Sequence, residues 1–429
     1  MGDLKVLIVS QGKWDDNQNL GNTLSNIFQG WDRECIAHIC TDSGKPNTNT
    51  CTKFYSLDEL SFLNSVSKKQ EISFDLPVNA KSLTKNKALK NLFRFQLVYW
   101  LRDLFWLFLY WKKKDLVDFV NSYNPDIIFL TFNRNFYVNR VQRFIVGLSK
   151  SPAVMYTSDD GYTFKQFSLS PFFWIDRFIK RKSISKTVHL CSILYVISSI
   201  QKCEFSKLFG VRTKLLWKGA TFDSFESNKK NHHPLQLVYS GNINLNRWKT
   251  LCDLGRTLDI INIGGDKASL LIYTSTYISR RMQKGLKGCK SIVKIDSVQS
   301  HELLKIHENA DILVHVESFS LKYKLMVRMS FSTKIVDYLS RGKCIFAIGP
   351  AGVASIDYLL QNNAAIVATS ECEIAEKLRK ILETPKILDE YAQKAWQCGK
   401  RNHQFVKINT MLKDDFQYLV GNENENFTN

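Results

Sequence analysis

The sequence predicts an α/β protein of two Rossmann-like domains that face a central cleft. Apolar runs of strand length alternate with amphipathic helical patterns along most of the chain. The alternation restarts after the polar stretch 225–234, FESNKKNHHP, which is typical of a linker. Alternating strands and helices favour parallel sheets covered on both faces. The length of 429 residues also exceeds what one hydrophobic core usually serves, so two domains are expected.

The first domain is expected to cover residues 1–225. Its predicted strands lie at residues 4–10, 35–40, 126–132, 153–157, 194–197 and 214–217. Helical patterns occur near residues 23–31, 138–148, 171–189 and 198–209. A polar loop, residues 11–22, follows the first strand, which is where α/β folds place ligand-binding loops.

The second domain is expected to cover residues 226–390. Its predicted strands lie at residues 235–240, 270–273, 292–295, 311–316, 344–348 and 365–368. Helical patterns separate most of these strands. One predicted helix is capped by Asn246, and the others lie at residues 298–309, 333–340, 353–361 and 371–383. The helical stretch 391–420 is long enough to cross back onto the first domain, and the polar residues 421–429 are expected to be a disordered tail.

The composition narrows the class of partner. The formal net charge is +19, from 59 Lys and Arg against 40 Asp and Glu, which favours polyanions such as phosphorylated substrates or anionic lipid. No helix-turn-helix, zinc-finger or RNA-binding pattern accompanies the charge, which argues against nucleic acid. The ten cysteines form no CxxC pair, so we expect reduced thiols and no metal site. The start, MGDLKVLIVS, enters a strand directly, and we predict a cytoplasmic protein.

Residues 330–350, SFSTKIVDYLSRGKCIFAIGP, are the most informative stretch of the chain. Ser332 or Thr333 is suited to cap a short helix, and a buried strand follows that helix. The first turn would offer free backbone N–H groups, two hydroxyls and the cation of Lys334, a set that suits a diphosphate. Asp337 lies one turn deeper on the same face, where its carboxylate could accept two ribose hydroxyls. The pattern predicts a nucleotide-binding site.

This stretch resembles the donor-binding motif of GT-B glycosyltransferases, in particular those of family 4. The matching residues are Ser332, Thr333, Lys334, Asp337, Tyr338, Leu339, Gly342 and Lys343. Glu317 follows the apolar run 312–316 and resembles the first acidic residue of that family's Glu-x7-Glu signature. Leu325 stands where the second Glu would fall, so Asp337 is the candidate for the second carboxylate.

The resemblance implies transfer of a sugar from a nucleotide-sugar donor to a carbohydrate or lipid-linked acceptor. It also implies a hexosyl donor, retention at the anomeric carbon, and a place in surface polysaccharide or glycolipid biosynthesis at the inner face of the plasma membrane. No cofactor is expected, because Lys334, Arg247 and a helix dipole can neutralise the leaving diphosphate without a metal. Two alternatives remain open. They are a nucleotide-sugar epimerase of the same architecture and a non-catalytic, basic membrane-docking protein.

Three residues just after the first strand of the second domain are further donor-binding candidates: Gly241, Arg247 and Lys249. In the family that the chain resembles, a basic residue at this place reaches the donor diphosphate. Arg247 is preferred because its planar fork can bind two phosphate oxygens. The alternative is that these residues only begin a solvated helix.

Acceptor-binding candidates lie in the first domain. Gly21, in the loop 11–22, allows close backbone approach before a helix, and Asn22 follows it; an ordinary solvated loop is the alternative. Asp159 and Asp160 follow a predicted strand in the sequence SDDGY. Because paired carboxylates there can bind hydroxyls or act as a base, we assign Asp159 to acceptor binding and Asp160, with Glu317, to catalysis. Asp-Asp-Gly is equally common as a turn.

Residues 87–114 are rich in aromatic side chains and carry Lys or Arg at both ends. Arg94, Arg102 and Asp103 interrupt the apolar run, so a transmembrane helix is not expected. One interpretation is a pair of amphipathic helices packed in the first domain, with Arg102 and Asp103 paired. The other is an interfacial helix on an anionic membrane. In that interpretation five aromatic side chains lie among the lipid headgroups: Trp100, Phe105, Trp106, Phe108 and Trp111. Three lysines contact anionic lipid: Lys112, Lys113 and Lys114.

Overall fold

The computed structural model describes residues 4–16, 19–42, 45–57, 96–108, 111–112, 114–225, 231–296, 298 and 300–427. Predictions that concern residues 58–95, 109–110, 113 and 226–230, among them those on Arg94 and Lys113, lie outside the described residues. Contacts divide the chain into two compact units. Unit 1 comprises Met1–Phe164, Ser168–Leu216 and Asn409–Asn429, and unit 2 comprises Lys165–Phe167 and Trp217–Ile408.

Unit 1 is built on a seven-stranded parallel sheet with the order β3-β2-β1-β4-β5-β6-β7. The strands are β1 Val6–Ser10, β2 Ile36–Cys40, β3 Lys53–Ser56, β4 Ile127–Thr131, β5 Ala153–Thr157, β6 Cys191–Val196 and β7 Thr213–Leu215. The helices are α1 Asn19–Ile27, α2 Gln96–Phe108, α3 Lys114–Tyr123, α4 Phe136–Ser149, α5 Pro171–Val188 and α6 Ser199–Phe209. Every residue of β1, β2, β4 and β5 is buried, as expected for strands covered on both faces.

Unit 2 contains a six-stranded parallel sheet with the order β10-β9-β8-β11-β12-β13. The strands are β8 Leu235–Ser240, β9 Ala268–Tyr273, β10 Ile292–Asp296, β11 Ile312–Val316, β12 Cys344–Ile348 and β13 Ile366–Ala368. The helices are α7 Arg247–Ile261, α8 Arg280–Lys287, α9 Ser300–Asn309, α10 Leu321–Val327, α11 Lys334–Ser340, α12 Ala354–Gln361, α13 Glu371–Glu383 and α14 Lys386–His403. The last helix, α15 Phe405–Phe427, begins in unit 2 and belongs to unit 1 from Asn409 onward. The apolar faces of β8, β9, β11 and β12 pack with α7 and α13 into one core.

Each sheet has one point at which the strand order reverses. In unit 1, β1 pairs with β2 on one side and with β4 on the other, and in unit 2, β8 pairs with β9 and with β11. Loops that leave the carboxyl ends of such a strand pair diverge, and the crevice between them is where open α/β sheets bind ligands. The residues just after β1 and β4, and just after β8 and β11, are therefore placed to form sites.

The boundaries of two helices differ from the prediction. The helix expected near residues 23–31 begins at Asn19, so Gly21 and Asn22 lie in its first turn and not in a loop. Residues 421–427, predicted to belong to a disordered tail, are helical and complete α15. In both cases polar side chains suggested a loop, although the helix extends through them.

From Asn409 onward, α15 belongs to unit 1. The ring of Phe416 meets that of Trp31 at 5.8 Å between centroids. The carboxylate of Asp415 accepts a hydrogen bond of 2.9 Å from the Tyr195 hydroxyl and pairs with the ammonium of Lys214. These contacts explain why the chain from Asn409 onward groups with unit 1.

Two tryptophans of the aromatic segment, Trp106 and Trp111, are packed in unit 1. Trp106 is fully buried and stacks on Tyr137 at 4.6 Å, and Trp111 meets Phe144 edge-on at 5.3 Å. The prediction that Trp106 and Trp111 lie among lipid headgroups is therefore wrong.

The expected pairing of Arg102 with Asp103 is also wrong. Asp103 pairs instead with Lys180 at 3.2 Å, and Arg102 pairs with Asp42 at 3.6 Å, because neighbouring residues of a helix point to different sides. Among the helices that the structure describes, none is long and apolar enough to cross a bilayer.

Candidate functional site

The carboxyl edge of β8 brings Gly241 against the side chain of Lys334. Lys334 opens α11, and its ammonium donates a 2.7 Å hydrogen bond to the carbonyl of Ser240. Gly241 has a φ of +132°, and a Cβ at this position would collide with the Lys334 ammonium. Glycine is therefore required here both for the backbone conformation and for the approach of the lysine.

Arg247 and Glu317 form a two-pronged ion pair at the same edge. Arg247 Nε and Nη2 each donate to a different carboxylate oxygen of Glu317, both at 2.9 Å. Glu317 directly follows β11 and is 3% exposed, and the Thr250 hydroxyl donates to its backbone carbonyl at 3.0 Å. Burial alone would lower the pKa of Arg247, but the Glu317 carboxylate outweighs burial and raises it, so the guanidinium stays charged.

Lys334 is the second cation of this site. Its pKa is lowered from 10.5 to about 8, mainly by burial and to a smaller extent by repulsion from Arg247. The carboxylates of Glu317 and Asp337 oppose this shift. Its ammonium also lies 4.8 Å from the ring centroid of Tyr239, a cation–π contact. A bound anion would favour the protonated lysine, so the site is electrostatically suited to a phosphate.

Two buried histidines support the site, and sequence reasoning did not assign them a role there. His315 Nε2 lies 3.2 Å from Ser355 Oγ and 3.7 Å from Glu317 Oε1. The pKa of His315 is lowered well below 6.5, mainly by burial and to a smaller extent by repulsion from Lys334 and Arg247, so the ring is neutral. Packing of an uncharged ring here leaves Arg247 as the charged partner of the Glu317 carboxylate.

The second histidine is His307, near the end of α9. It is 5% exposed, its Nε2 lies 2.8 Å from Ser240 Oγ, and the Tyr338 hydroxyl lies 3.0 Å from the same oxygen. A helical spacing shared with Leu303 and Ala310 could have placed it on the buried stripe of α9. This network fixes the strand end whose carbonyl accepts from Lys334.

Asp337, the candidate ribose ligand, is already paired. Its Oδ1 lies 2.6 Å from the ammonium of Lys218, a residue that sequence reasoning did not single out. The carboxylate keeps about a third of its surface exposed, at 34%, so it remains reachable by a ligand. Asp337 therefore lies at the mouth of the site, one helical turn after Lys334.

The first turn of α11 differs from the predicted set of free donors. Thr333 is the N-cap residue but makes no side-chain capping bond, and the hydroxyls of Ser332 and Thr333 are half-buried. The N–H groups of Ile335 and Val336 already donate to the carbonyls of Ser332 and Thr333, at 3.0 and 3.2 Å. These two N–H groups are consequently not free for a phosphate.

Lys249, the remaining donor-binding candidate, is not part of this cluster. It is exposed on the first turn of α7, with its ammonium 5.9 Å from the ring of its neighbour Trp248. The alternative of a solvated helix start describes Lys249, whereas Arg247, two residues earlier, points to Glu317.

In unit 1, the structure gives Asp160 a structural role. Its carboxylate accepts from the backbone N–H groups of Tyr162 and Thr163 at 3.1 and 2.8 Å and from the Thr163 hydroxyl. The guanidinium of Arg177 adds a 3.2 Å bond to the same side chain and a 2.9 Å bond to its backbone carbonyl. Asp160 is the carboxylate of a buried turn, and we do not retain it as a catalytic candidate. Asp159 beside it is exposed.

Gly21 and Asn22 organise their own loop. A Cβ on Gly21 would collide with the backbone of Asp15, so the close approach predicted for a ligand is made by the chain itself. The side-chain amide of Asn22 donates to the Asp16 carbonyl at 3.0 Å. Gly21 and Asn22 thus help to fold the segment after β1, and their role in acceptor binding stays a prediction.

The crevice of unit 1 holds a different set of polar residues, which sequence reasoning missed. The side-chain oxygen of Gln11, just after β1, accepts from the amides of Asn133 at 2.8 Å and Asn135 at 3.1 Å, just after β4. All three side chains are half-buried. The signal was available, since Gln11 and Asn133 each directly follow a strand of the reversing pair. Within the described ranges, no group of three His, Cys, Asp or Glu side chains could hold a metal ion.

Several solved structures share the fold of this chain. The HepE protein of Anabaena, in complex with UDP and glucose, has a TM-score of 0.62 and 12% identity, over 97% of this chain and 100% of that one. Sucrose-phosphate synthase from Thermosynechococcus elongatus has a TM-score of 0.60 and 10% identity, over 97% and 99%. A UDP-forming α,α-trehalose-phosphate synthase from Burkholderia xenovorans, in complex with glucose-6-phosphate, has a TM-score of 0.58 and 10% identity, over 96% and 100%.

No protein-family model matches the sequence, and no curated protein matches it either. The structural likeness covers nearly the whole chain at low identity, so it concerns the fold. It confirms the predicted GT-B class of fold, with two parallel α/β sheets.

Proposed function

We propose that this chain is a glycosyltransferase that moves a sugar from a nucleotide-sugar donor to a carbohydrate or lipid-linked acceptor. The observation that carries the proposal is the convergence of Arg247, Lys334 and Glu317 at the carboxyl edge of β8 and β11. Two cations beside one carboxylate leave a positive charge at the place where a parallel sheet accepts ligands. The likeness of the fold to HepE, solved with UDP and glucose, supports the proposal.

The donor diphosphate would engage Arg247 and Lys334. Charge-assisted hydrogen bonds from both would stabilise the negative charge that develops on the leaving nucleotide. Glu317 holds the Arg247 fork in a fixed plane, which makes it a positioning residue; its direct contact with the donor sugar remains a prediction. Asp337 would accept the ribose hydroxyls at the mouth of the site, beside the Lys218 ammonium that pairs with its Oδ1.

We further propose that the amide cluster Gln11, Asn133 and Asn135 receives the acceptor. Amide side chains both donate and accept hydrogen bonds and carry no charge, which suits the hydroxyls of a sugar. The cluster lies at the reversing strand pair of unit 1, where ligands of α/β sheets bind. Gly21, Asn22 and exposed Asp159, the candidates from the sequence, remain further proposals for acceptor binding.

The finer proposals follow the resemblance to family 4. We propose a hexosyl donor, retention of the anomeric configuration, and transfer without a metal ion, because Arg247 and Lys334 can supply the positive charge that a metal would supply elsewhere. Activity that is unchanged by a chelator, and a product whose anomeric configuration matches the donor by NMR, are the expected results. The proposed setting is surface polysaccharide or glycolipid biosynthesis at the cytoplasmic face of the plasma membrane.

Nucleotide release tests the proposed reaction. The purified protein is incubated with a panel of nucleotide sugars, including UDP-glucose, with and without a membrane extract that contains acceptors. Release of the nucleoside diphosphate is expected only when extract and one donor are both present, and Lys334→Ala should reduce it. Conversion of the nucleotide sugar alone would indicate an epimerase or a hydrolase. No conversion under any condition would contradict a catalytic function.

A further inference from the structure

Exposed apolar side chains gather on two neighbouring helices of unit 1, α2 and α5. Phe108 on α2 is 83% exposed and Phe178 on α5 is 72% exposed, unusually high values for phenylalanine. The surface that such side chains form on these helices is called the α2–α5 face, and its exposed residues include Leu101, Leu104, Phe108, Phe172, Phe178 and Ile179. A contiguous apolar patch on a folded unit usually marks an interaction surface.

The two helices form one surface because a shared groove joins them. Leu104 and Leu107 of α2 and Ile179 of α5 line this groove, which has a volume of about 330 Å³. The indole N–H of Trp100 donates to the Asp176 carboxylate at 2.8 Å across the two helices.

The polar groups beneath this surface bond to one another. The Lys180 ammonium lies 2.9 Å from Asp176 and 3.2 Å from Asp103, so both carboxylates are engaged. The surface consequently presents apolar side chains outward, while its charges are neutralised below.

Cations border the apolar side chains. Lys182 and Lys186 are exposed and follow Phe178 at intervals of four residues, so they continue the same side of α5. α5 contains five basic residues and one acidic residue, Asp176, whose carboxylate is engaged by Lys180. Lys112, exposed just after α2, lies with its ammonium 5.0 Å from the Phe144 ring. An occupant of this surface must therefore match apolar side chains and positive charge together.

A second copy of the chain fits this surface poorly. Two copies related by a twofold axis would present the same patch to each other and would bring the lysines of one copy near those of the other. Like charges at such a contact oppose association. An anionic bilayer offers acyl chains to the apolar side chains and phosphates to the lysines in the same plane.

We propose that the α2–α5 face docks onto an anionic phospholipid surface. Phe108 and Phe178 enter the boundary between headgroups and acyl chains, and Lys182 and Lys186 contact the lipid phosphates. Trp106 and Trp111 stay in the core of unit 1. Phe108 is therefore kept from the residues that the sequence suggested, whereas Phe178, Lys182 and Lys186 are new. The proposal does not depend on the transferase reaction, because it concerns exposed side chains of α2 and α5 to which no role in the reaction is assigned.

Co-sedimentation of the full chain with vesicles tests this docking. The vesicles are phosphatidylcholine alone or phosphatidylcholine with phosphatidylglycerol. Wild type should bind the anionic vesicles, and Lys182→Gln/Lys186→Gln should lower its partition coefficient roughly 30-fold at low salt. Phe108→Ser/Phe178→Ser should lower it at least about tenfold, and the loss should persist at high salt.

Matched controls separate docking from general surface effects. Ile263→Ser/Tyr277→Ser replaces side chains that are 77% and 87% exposed outside the α2–α5 face, and Lys202→Gln/Lys207→Gln replaces two exposed lysines of α6. Both controls should bind like wild type. All exchanged side chains are exposed, so the melting temperatures should also match wild type.

Three results would overturn the proposal. One is a wild type that does not bind anionic vesicles, and another is equal binding by face variants and controls. The third is a wild-type dimer, measured by sedimentation equilibrium without lipid, that Phe108→Ser/Phe178→Ser converts to a monomer. That result would make the surface an interface between copies.

Discussion

The carboxyl edges of the two sheets share one arrangement. In each, the serine that ends the first strand lies 2.8 Å from Nε2 of a buried histidine, Ser10 with His38 in unit 1 and Ser240 with His307 in unit 2. Burial lowers the pKa of both histidines to about 4, so both rings are neutral at pH 7. The two units therefore stabilise the same strand end in the same way.

The carboxyl edges of the two sheets differ in the charge of the side chains that follow their strands. Unit 2 adds Arg247 and Lys334, whereas unit 1 adds the neutral amides of Gln11, Asn133 and Asn135. The parallel sheet provides a place for a ligand in both units, and the side chains of the loops decide which ligand suits it. A cationic edge suits a diphosphate, and a neutral amide edge suits sugar hydroxyls.

The largest effect is expected from Arg247→Met. Loss of the guanidinium leaves the Glu317 carboxylate buried without its partner, which should lower the free energy of unfolding by about 3–5 kcal/mol. Urea unfolding measures this cost. Arg256→Met is the control, since Arg256 lies on the same helix but pairs with Asp253 in an exposed position and should cost at most about 1 kcal/mol. Equal costs for the two variants would show that the buried pair does not organise the edge.

Lys334→Ala should weaken UDP binding while leaving the protein folded. The loss of one charge-assisted contact to phosphate corresponds to about 1.5–3 kcal/mol, or roughly 10- to 150-fold in affinity. Titration calorimetry with UDP measures it. Lys249→Ala is the matched control, because Lys249 is exposed beside Trp248 and should leave the affinity unchanged. A larger loss from Lys249→Ala would move the phosphate site to the start of α7.

The pH dependence of UDP binding follows from the lowered pKa of Lys334. A protonated lysine attracts the diphosphate, and the free protein loses this proton as the pH rises through about 8. UDP affinity should therefore fall between pH 7 and pH 9.5, a range in which the terminal phosphate, with a pKa of about 6, stays ionised. Lys334→Arg keeps its charge throughout and should bind with little dependence on pH. A wild-type affinity that is flat over this range would contradict the assignment.

The smallest effect is expected in unit 1. Asn133→Ala removes one hydrogen-bonding amide of the acceptor edge and should raise the acceptor KM about fivefold, corresponding to about 1 kcal/mol. UDP affinity should not change, since the charge of unit 2 is untouched. Steady-state kinetics with varied acceptor measures the effect, and Asn121→Ala on the exposed side of α3 is the control. A change in UDP affinity alone would remove Asn133 from the acceptor edge.

Local pattern was sufficient to predict the alternation of strands and helices, and with it the fold. It also drew attention to Lys334, which opens a helix before a buried strand, whereas Arg247 and Glu317 were singled out by the resemblance to GT-B glycosyltransferases. The predicted donor-binding roles still await a test, but the structure brings these three side chains together.

Partners that are distant in sequence could not be predicted. Asp160 is bound by Arg177, 17 residues away, and Asp337 by Lys218, 119 residues away. No local spacing shows whether a carboxylate is already occupied, so the sequence left open whether Asp160 is a base or part of a turn. The structure places it in a turn. The same reason applies to Gly21, whose close neighbour is the backbone of Asp15.

Hydrogen–deuterium exchange with and without UDP tests most directly whether the cationic edge of unit 2 is the nucleotide site. We expect UDP to slow exchange in peptides that contain residues 241–249, 317 and 332–338, and to leave peptides with residues 11–22 and 133–135 unchanged, because binding stabilises the segments that it touches. Protection confined to the peptides of unit 1, with none in unit 2, would contradict the account.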